Sequence, residues 1–200
     1  MSGQGADKKP YQTIRMVWSF YIAARTFLKN GKVAMRPAEE LKLLKTSSVE
    51  IGKHLVDGEH RLPVRGQMLE IDLAFDLSIS TASSFGLHVL CSDDGQQRTL
   101  IRFDRNESCL FLDRDHSGEC LDGVRRTALS GDIKVLRLHV FVDRSSVEVF
   151  ANSGDVTMTS RVYPKNSSDR VTLFAENGTA VMTGGAVWYL KDKWSTTNDE

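Results

Sequence analysis

The sequence predicts an all-β fold, an antiparallel β-sandwich of the jelly-roll type with one short helix before it. The first observation is a run in which every odd position from Leu69 to Ile79 is apolar, while the positions between carry mostly acids and serines. Such a period of two is typical of strands with one face in a core and the other in solvent. The second observation is that similar runs recur, separated by turn-forming residues, which favours a sandwich over a helical fold.

The composition of the chain excludes some classes of function. The chain has 200 residues, with 26 Lys and Arg against 26 Asp and Glu, so its formal charge is zero. Without a basic surplus there is no electrostatic basis for binding nucleic acid or an anionic membrane, and we expect neither partner. Apolar residues make up 40% of the chain, which indicates a folded domain with one sizeable core.

The segments before the sandwich are predicted in order along the chain. Residues 1–9 are small and polar and are expected to be a disordered tail. Residues 10–36 contain two extended pieces, 14–21 and 25–35, the second broken by a turn at Asn30-Gly31. Residues 37–45 are predicted to be a helix, because Pro37 precedes two acids and lysines follow, as the helix dipole prefers.

Residues 46–194 are predicted to form the sandwich and residues 195–200 a tail. The further predicted strands cover residues 85–91, 98–103, 109–113, 135–142, 146–151, 156–163, 171–176 and 185–190. Turn residues stand between them at 93–95, 104–106, 152–154 and 176–178. The strand 135–142 has apolar residues in both of its side-chain rows, which predicts a central strand.

The cysteines and histidines do not indicate a metal site. Cys91, Cys109 and Cys120 are an odd set without CxxC spacing, and we interpret them as buried free thiols. The five histidines, His54, His60, His88, His116 and His139, show no ligand spacing. We therefore predict no metal and no cofactor.

Targeting signals are also weak. The longest apolar stretch, 16–28, is interrupted by polar residues and is too short for a spanning helix. It is also an unconvincing signal peptide, so the compartment is left open.

The run 143–154, DRSSVEVFANSG, is the most informative part of the chain. It predicts a hairpin in which Asp143 caps the amides of Ser145 and Ser146, next to Arg144, and in which Glu148 is a solvated or ion-paired strand carboxylate. From spacing alone, turn formation and ion pairing explain these residues better than catalysis does.

Residues 138–154, together with 157–164, closely resemble the C-terminal β-sandwich of glycoside hydrolase family 32, the invertases, levanases, inulinases and sucrose-6-phosphate hydrolases. Residues 24–41 are similar to that family's connection between its two domains, although Ala24-Arg25-Thr26 stands where the family has a Pro-Arg-Glu-like strand end. The resemblance runs from about Arg15 to Trp194. It implies that residues 10–36 are a remnant of the last blade of a catalytic propeller and the linker after it.

The resemblance also implies where the catalytic residues belong. Family members hydrolyse β-fructosidic bonds with retention, using an Asp nucleophile and a Glu acid/base in a five-bladed propeller, in W-M-N-D-P-N-G, R-D-P and E-C motifs. This sequence has no W-M-N-D-P-N-G and no R-D-P. Glu119-Cys120 spells the E-C dipeptide but lies inside the predicted sandwich, so we assign Glu119 no catalytic role and predict no catalytic residue in the chain.

Two functions follow as hypotheses. The first is an accessory module of a β-fructofuranosidase, acting as scaffold, stabilising domain or oligomer contact, whose partner is the catalytic propeller or a second copy of itself. The second is a free-standing, lectin-like carbohydrate-binding module for sucrose or fructan, with Tyr163, Trp188 and Tyr189 as sugar-contacting aromatics. Against the second stands the interpretation that Trp188 packs inward from the last strand.

Overall fold

The computed structural model describes residues 24–29, 31–119 and 123–191. The predicted tails, the extended piece 14–21 and Cys120 lie outside this range. The strands are β1 Ala24–Lys29, β2 Lys32–Pro37, β3 Lys45–Ile51, β4 His54–Arg65, β5 Met68–Asp76, β6 Ser84–Cys91, β7 Thr99–Asp104, β8 Cys109–Asp113, β9 Val124–Ala128, β10 Val135–Asp143, β11 Ser146–Ala151, β12 Val156–Arg161 and β13 Arg170–Leu190. A 3₁₀ helix, Glu39–Leu44, lies between β2 and β3.

The antiparallel strands from β3 onward form a sandwich of two layers. Layer A runs β12-β11-β10-β5 and continues through the second half of β13 to β3. Layer B runs β9-β8-β7-β6 and continues through the first half of β13 to β4. Alternate residues of each strand point inward and form the core between the layers, such as Leu73 and Leu138 from layer A and Leu87 and Ile101 from layer B. The predicted all-β sandwich is confirmed, and β10 is a central strand, as its two apolar rows predict.

Strand β13 joins the two layers. Its residues Arg170–Glu176 pair with β6, and Val181–Tyr189 pair with β5. The prediction of two strands separated by a turn at 176–178 is therefore wrong. Asn177 has the positive φ (53°) that the turn prediction needs, but the chain uses it in an irregularity where pairing with β4 jumps from Ala175 to Ala180. An Asn-Gly pair permits a positive φ in a bulge as readily as in a hairpin.

The predicted helix 37–45 is also corrected. The structure has six residues of 3₁₀ helix, and none of them is buried. A longer α-helix in a protein owes its stability mainly to the burial of an apolar stripe, which is absent from this helix. Lys45 leaves it in an extended conformation and begins β3.

The sequence patterns missed β3, β4 and β9 and misplaced one core residue. Gly58 and Pro63 interrupt the pattern of β4. The strand tolerates them because, among the described strands, it pairs only with β13 and lies at the edge of its layer. Ile79, predicted on the core face, is 56% exposed. The strand ends at Asp76, whose Oδ1 accepts a hydrogen bond from the Ser78 amide at 2.8 Å, so that the chain turns before Ile79.

Two further predictions can be compared with the structure. Cys91 and Cys109 are buried and free, as predicted, and burial raises the pKa of the Cys91 thiol to about 12. Among the described residues, no helix has the length and apolar character needed to cross a membrane.

His88 makes the free energy of unfolding depend on pH. Its ring stacks on Phe174 with centroids 4.6 Å apart and is 8% exposed. Burial lowers the pKa of His88 from 6.5 to about 4, and the nearby Arg98 acts in the same direction. Because the folded pKa lies below the unfolded one, the contribution is complete above the unfolded pKa and is lost as the pH falls towards the folded pKa.

When the pH is lowered from about 7.5 to about 5, we expect protonation of His88 in the unfolded state to lower the free energy of unfolding by about 2 kcal/mol. Urea titrations at both pH values measure the change, with His88→Gln as the comparison. The variant should lose roughly this part of the pH dependence. An equal fall in wild type and variant would show that His88 is not the group responsible.

Candidate functional site on the outer face of layer A

The hairpin singled out in the sequence is formed by β10 and β11, in register from Leu138 opposite Ala151 to Asp143 opposite Ser146. Its turn is held from both sides. The Arg144 amide donates to the Gln67 carbonyl at 2.7 Å, and the Ser145 carbonyl accepts from the Val162 amide at 3.0 Å. Ser146 and Glu148 are buried, so Glu148 is not the solvated carboxylate that we considered. The hairpin is thus an internal part of layer A.

The next turn, Asn152-Ser153-Gly154, attaches the β1–β2 hairpin to the sandwich. The Met35 amide donates to the Gly154 carbonyl at 3.3 Å, and Lys29 forms an ion pair with Asp155 at 2.8 Å. Gly154 has φ of 90°, and a Cβ at this position would lie 1.7 Å from the Met35 carbonyl oxygen. Only glycine permits this close approach.

Among the strands that the structure describes, β1 and β2 pair only with each other, in a two-stranded sheet. Leu28 and Val33 lie opposite each other and are 76% and 71% exposed. Phe27 and Ala34 form the neighbouring pair on the other face, where Ala34 is buried. This hairpin therefore has an exposed apolar face turned away from the sandwich.

A cavity of about 600 Å³ lies between this hairpin with the 3₁₀ helix on one side and the outer face of layer A on the other. Its lining mixes aromatic rings with ionisable side chains, among them Phe27, Lys45, Glu70, Asp72, Arg137, His139, Phe141, Phe150 and Trp188. These residues come from β1, β3, β5, β10, β11 and β13, so the fold and not a local motif brings them together.

The centre of the cavity wall is the Glu70 cluster, which we define as Lys45, Glu70, His139 and Trp188. Glu70 Oε1 lies 2.7 Å from His139 Nε2 and 2.8 Å from Lys45 Nζ. Lys45 Nζ also lies 3.5 Å from the centre of the Trp188 ring, in a cation–π contact. The Glu70 side chain is only 6% exposed, so this carboxylate depends on its partners for charge compensation.

A second ion pair lies beside the cluster. Arg137 Nε donates to Asp72 Oδ1 at 2.8 Å, and Arg137 Nη2 donates to Asp72 Oδ2, which raises the pKa of the guanidinium. Behind both pairs, the rings of Phe141 and Phe150 meet edge to face at 6.1 Å. The wall thus combines hydrogen-bonding groups with an apolar base.

The structure separates the three aromatic residues that the sequence suggested as a sugar platform. Trp188 lines the cavity, so the interpretation that it packs inward is wrong; the neighbouring Val187 is the residue in the core. Tyr189, next in the strand, packs against the core from the other face. Tyr163 follows β12, which is separated from β13 by three strands of layer A.

Glu119, the residue of the E-C dipeptide, lies between β8 and β9 and is exposed. Its neighbour Gly118 is bridged to Tyr163, close to the end of β12. Within residues 24–29, 31–119 and 123–191, no group of three or more His, Cys, Asp or Glu side chains could hold a metal ion.

The sequence did not identify the Glu70 cluster, because its members come from four strands. A signal was nevertheless present. Glu70 and Asp72 alternate along β5, and Arg137 and His139 alternate along β10. The two rows become neighbours once β5 is known to pair with β10, with His139 opposite Asp72.

Comparison with known proteins decides the family. Residues 39–189 match the family described as "Glycosyl hydrolases family 32 C terminal". The chain belongs to glycosyl hydrolase family 32. The match begins at the 3₁₀ helix and ends at Tyr189, so it covers both layers of the family 32 domain and excludes the β1–β2 hairpin.

The relatives are enzymes longer than this chain. It is 35% identical over 191 residues to a sucrose-6-phosphate hydrolase of Zymomonas mobilis, covering 93% of this chain and 37% of that protein. It is 31% identical over 185 residues to a raffinose invertase of Escherichia coli, covering 90% and 37%. This family 32 domain therefore spans well under half the length of these curated relatives.

Solved structures agree with the fold. The exo-inulinase of Aspergillus awamori superimposes with a TM-score of 0.72 at 26% identity, over 86% of this chain and 35% of that one. Fructan 1-exohydrolase IIa of Cichorium intybus gives 0.76 at 17% identity, over 86% and 41%, and shows the fold alone.

Proposed function

We propose that this family 32 domain is the accessory domain of a β-fructofuranosidase-type hydrolase, and that it stabilises a catalytic domain packed next to it. The observation that carries the proposal is the β1–β2 hairpin. It forms a sheet separate from the sandwich and presents Leu28 and Val33 to solvent. An exposed apolar pair on a small sheet that pairs with no other described strand is typical of a surface that another part of a protein covers.

In this proposal residues 24–37 pack with the catalytic domain, and the turn Asn152–Gly154 connects them to the sandwich. The relatives carry names that refer to sucrose 6-phosphate, raffinose and inulin. We propose that the catalytic domain acts on a sucrose- or fructan-type substrate and that the sandwich supplies no catalytic residue.

A chimaera tests this function. This chain replaces the matching 37% of the Zymomonas mobilis sucrose-6-phosphate hydrolase. We expect the chimaera to hydrolyse sucrose 6-phosphate and to melt at a higher temperature than the enzyme truncated before the replaced part. A truncated enzyme as active and as heat-stable as the chimaera would refute the stabilising role.

A matched pair of glycine variants tests the connection in the same chimaera. Gly154→Val introduces a side chain against the Met35 carbonyl, whereas Gly131→Val, at a similar φ of 93°, meets nothing within 4 Å. Backbone strain is therefore comparable, and only the first variant separates the hairpin from the sandwich. We expect Gly154→Val to lower the melting temperature of the catalytic domain more than Gly131→Val; equal effects would contradict the proposed connection.

The isolated chain should self-associate through the same apolar face. We expect oligomers in light scattering coupled to gel filtration, with binding of an apolar dye, and a shift towards monomer in the double variant Leu28→Lys, Val33→Lys. Val124→Lys is the control, because Val124 is also an exposed strand valine but lies in β9. A wild-type chain that is monomeric and binds no dye would contradict the prediction.

A further inference from the structure

We infer that the cavity beside the Glu70 cluster is a binding site for a small neutral saccharide, of one or two sugar rings. The site is distinct from the aromatic platform considered from the sequence, because only Trp188 of that set lines the cavity. The inference does not depend on the accessory role, and a different experiment tests it.

The size of the cavity fits such a ligand. Its volume of about 600 Å³ lies within the range of about 300–1,000 Å³ that is typical of small-molecule sites. The cavity is open to solvent at Arg137, which is 57% exposed, so a ligand can reach it. Here the hairpin and the 3₁₀ helix cover layer A and still leave open space next to the paired charges.

The polar groups suit hydroxyls, each of which both donates and accepts a hydrogen bond. The carboxylate of Glu70 lines the cavity, and its Oε1 lies against His139 Nε2 and Lys45 Nζ. Arg137 uses Nε and one Nη2 hydrogen on Asp72 and is 57% exposed, so three of its five N–H groups are available. An acceptor and several donors therefore face the same space.

Charge and spacing favour a neutral ligand over an anion. The lining contains five basic side chains, and four of them are paired with a carboxylate: Lys45 with Glu70, Arg137 with Asp72, Lys42 with Glu39 and Lys29 with Asp155. The fifth, Arg36, lies over the Phe27 ring at 5.4 Å, so the wall holds no isolated cluster of cations. Glu70 and Asp72 point to the same face two residues apart, a separation of about 7 Å that one sugar ring can bridge. The rings of Phe27 and Trp188 supply apolar walls for the C–H faces of a sugar.

Isothermal titration of the full chain tests the inference with sucrose, fructose and 1-kestose, and with inorganic phosphate as the anionic probe. We expect saturable heat with at least one sugar and none with phosphate. Saturable phosphate binding without sugar binding, or no saturable heat with any of the sugars, would overturn it.

Variants locate the binding. Asp72→Asn should weaken sugar binding roughly tenfold, because it removes a charged hydrogen-bonding group. Asp104→Asn, which alters the Arg102–Asp104 pair on layer B, should leave binding unchanged. Arg137→Lys, at an exposed position, is a second variant whose fold is checked by circular dichroism and which should also weaken binding. Sugar binding that is unaffected by Asp72→Asn and Arg137→Lys would place the ligand elsewhere and refute the site, while the activity of the chimaera tests the accessory role independently.

Discussion

Replacing Phe85 with Ala is expected to lower the free energy of unfolding by about 3–5 kcal/mol. Phe85 is fully buried between the two layers. Its ring lies 5.0 Å from that of Phe75 in layer A and 5.6 Å from that of Phe103 in layer B, so the variant removes contacts that join the layers. Urea unfolding followed by circular dichroism measures the change.

Ile79→Ala is the control for Phe85→Ala. Both positions are apolar in the sequence pattern, but Ile79 is 56% exposed in the structure. We expect it to change stability by less than about 0.5 kcal/mol, as exposed positions usually do. A large loss at Ile79, or a small one at Phe85, would contradict the placement of the core.

Replacing Glu70 with Ala is expected to lower the free energy of unfolding by about 3 kcal/mol, because it leaves a lysine ammonium and an imidazole nitrogen, both partly buried, without the carboxylate that they contact. Those partners are Lys45, which is 21% exposed, and His139, which is 24% exposed. Both partners contact Oε1, and Glu70→Gln keeps an oxygen at that position while it removes the charge, so its loss should be smaller. Denaturant titration at neutral pH measures both variants.

Glu50→Ala is the matched control for this charge, since Glu50 is an exposed carboxylate on β3 in the same layer. Its effect should stay near zero, as for most exposed charges. If Glu70→Ala proved as mild as Glu50→Ala, the Glu70 cluster would not be a stabilising part of layer A.

Much of the sandwich could be predicted because its strands carry local signals. The strands β8 and β11 begin and end at the predicted residues, and β5 to β7 differ by a few residues at their ends. The alternation of apolar and polar residues indicates the two faces of a strand directly, and Asp and Gly at the turns indicate where the strand ends. The errors fell where one local signal fits two structures, as at Asn177, where a positive φ serves a bulge and not a hairpin turn.

The candidate site was predicted only in part, for a related reason. The hairpin of β10 and β11 is continuous in sequence, and its residues could be singled out together. The contact of His139 with Glu70 joins residues 69 positions apart, and that of Lys45 with Trp188 joins strands at opposite ends of the sandwich sequence. Which side of a strand faces the core could be inferred, but the partner across the sheet could not.

The position of β13 constrains how the domain can form during synthesis. This strand lies between β5 and β3 in layer A and between β6 and β4 in layer B, yet it follows all four in the sequence. When the chain has left the ribosome only as far as β12, strands β3, β4, β5 and β6 all lack β13, the strand with which they pair. Because non-local pairing is slow and open strand edges aggregate, the nascent domain is exposed until its last strand emerges. The strand that joins the two layers thus also sets the moment at which the domain can fold.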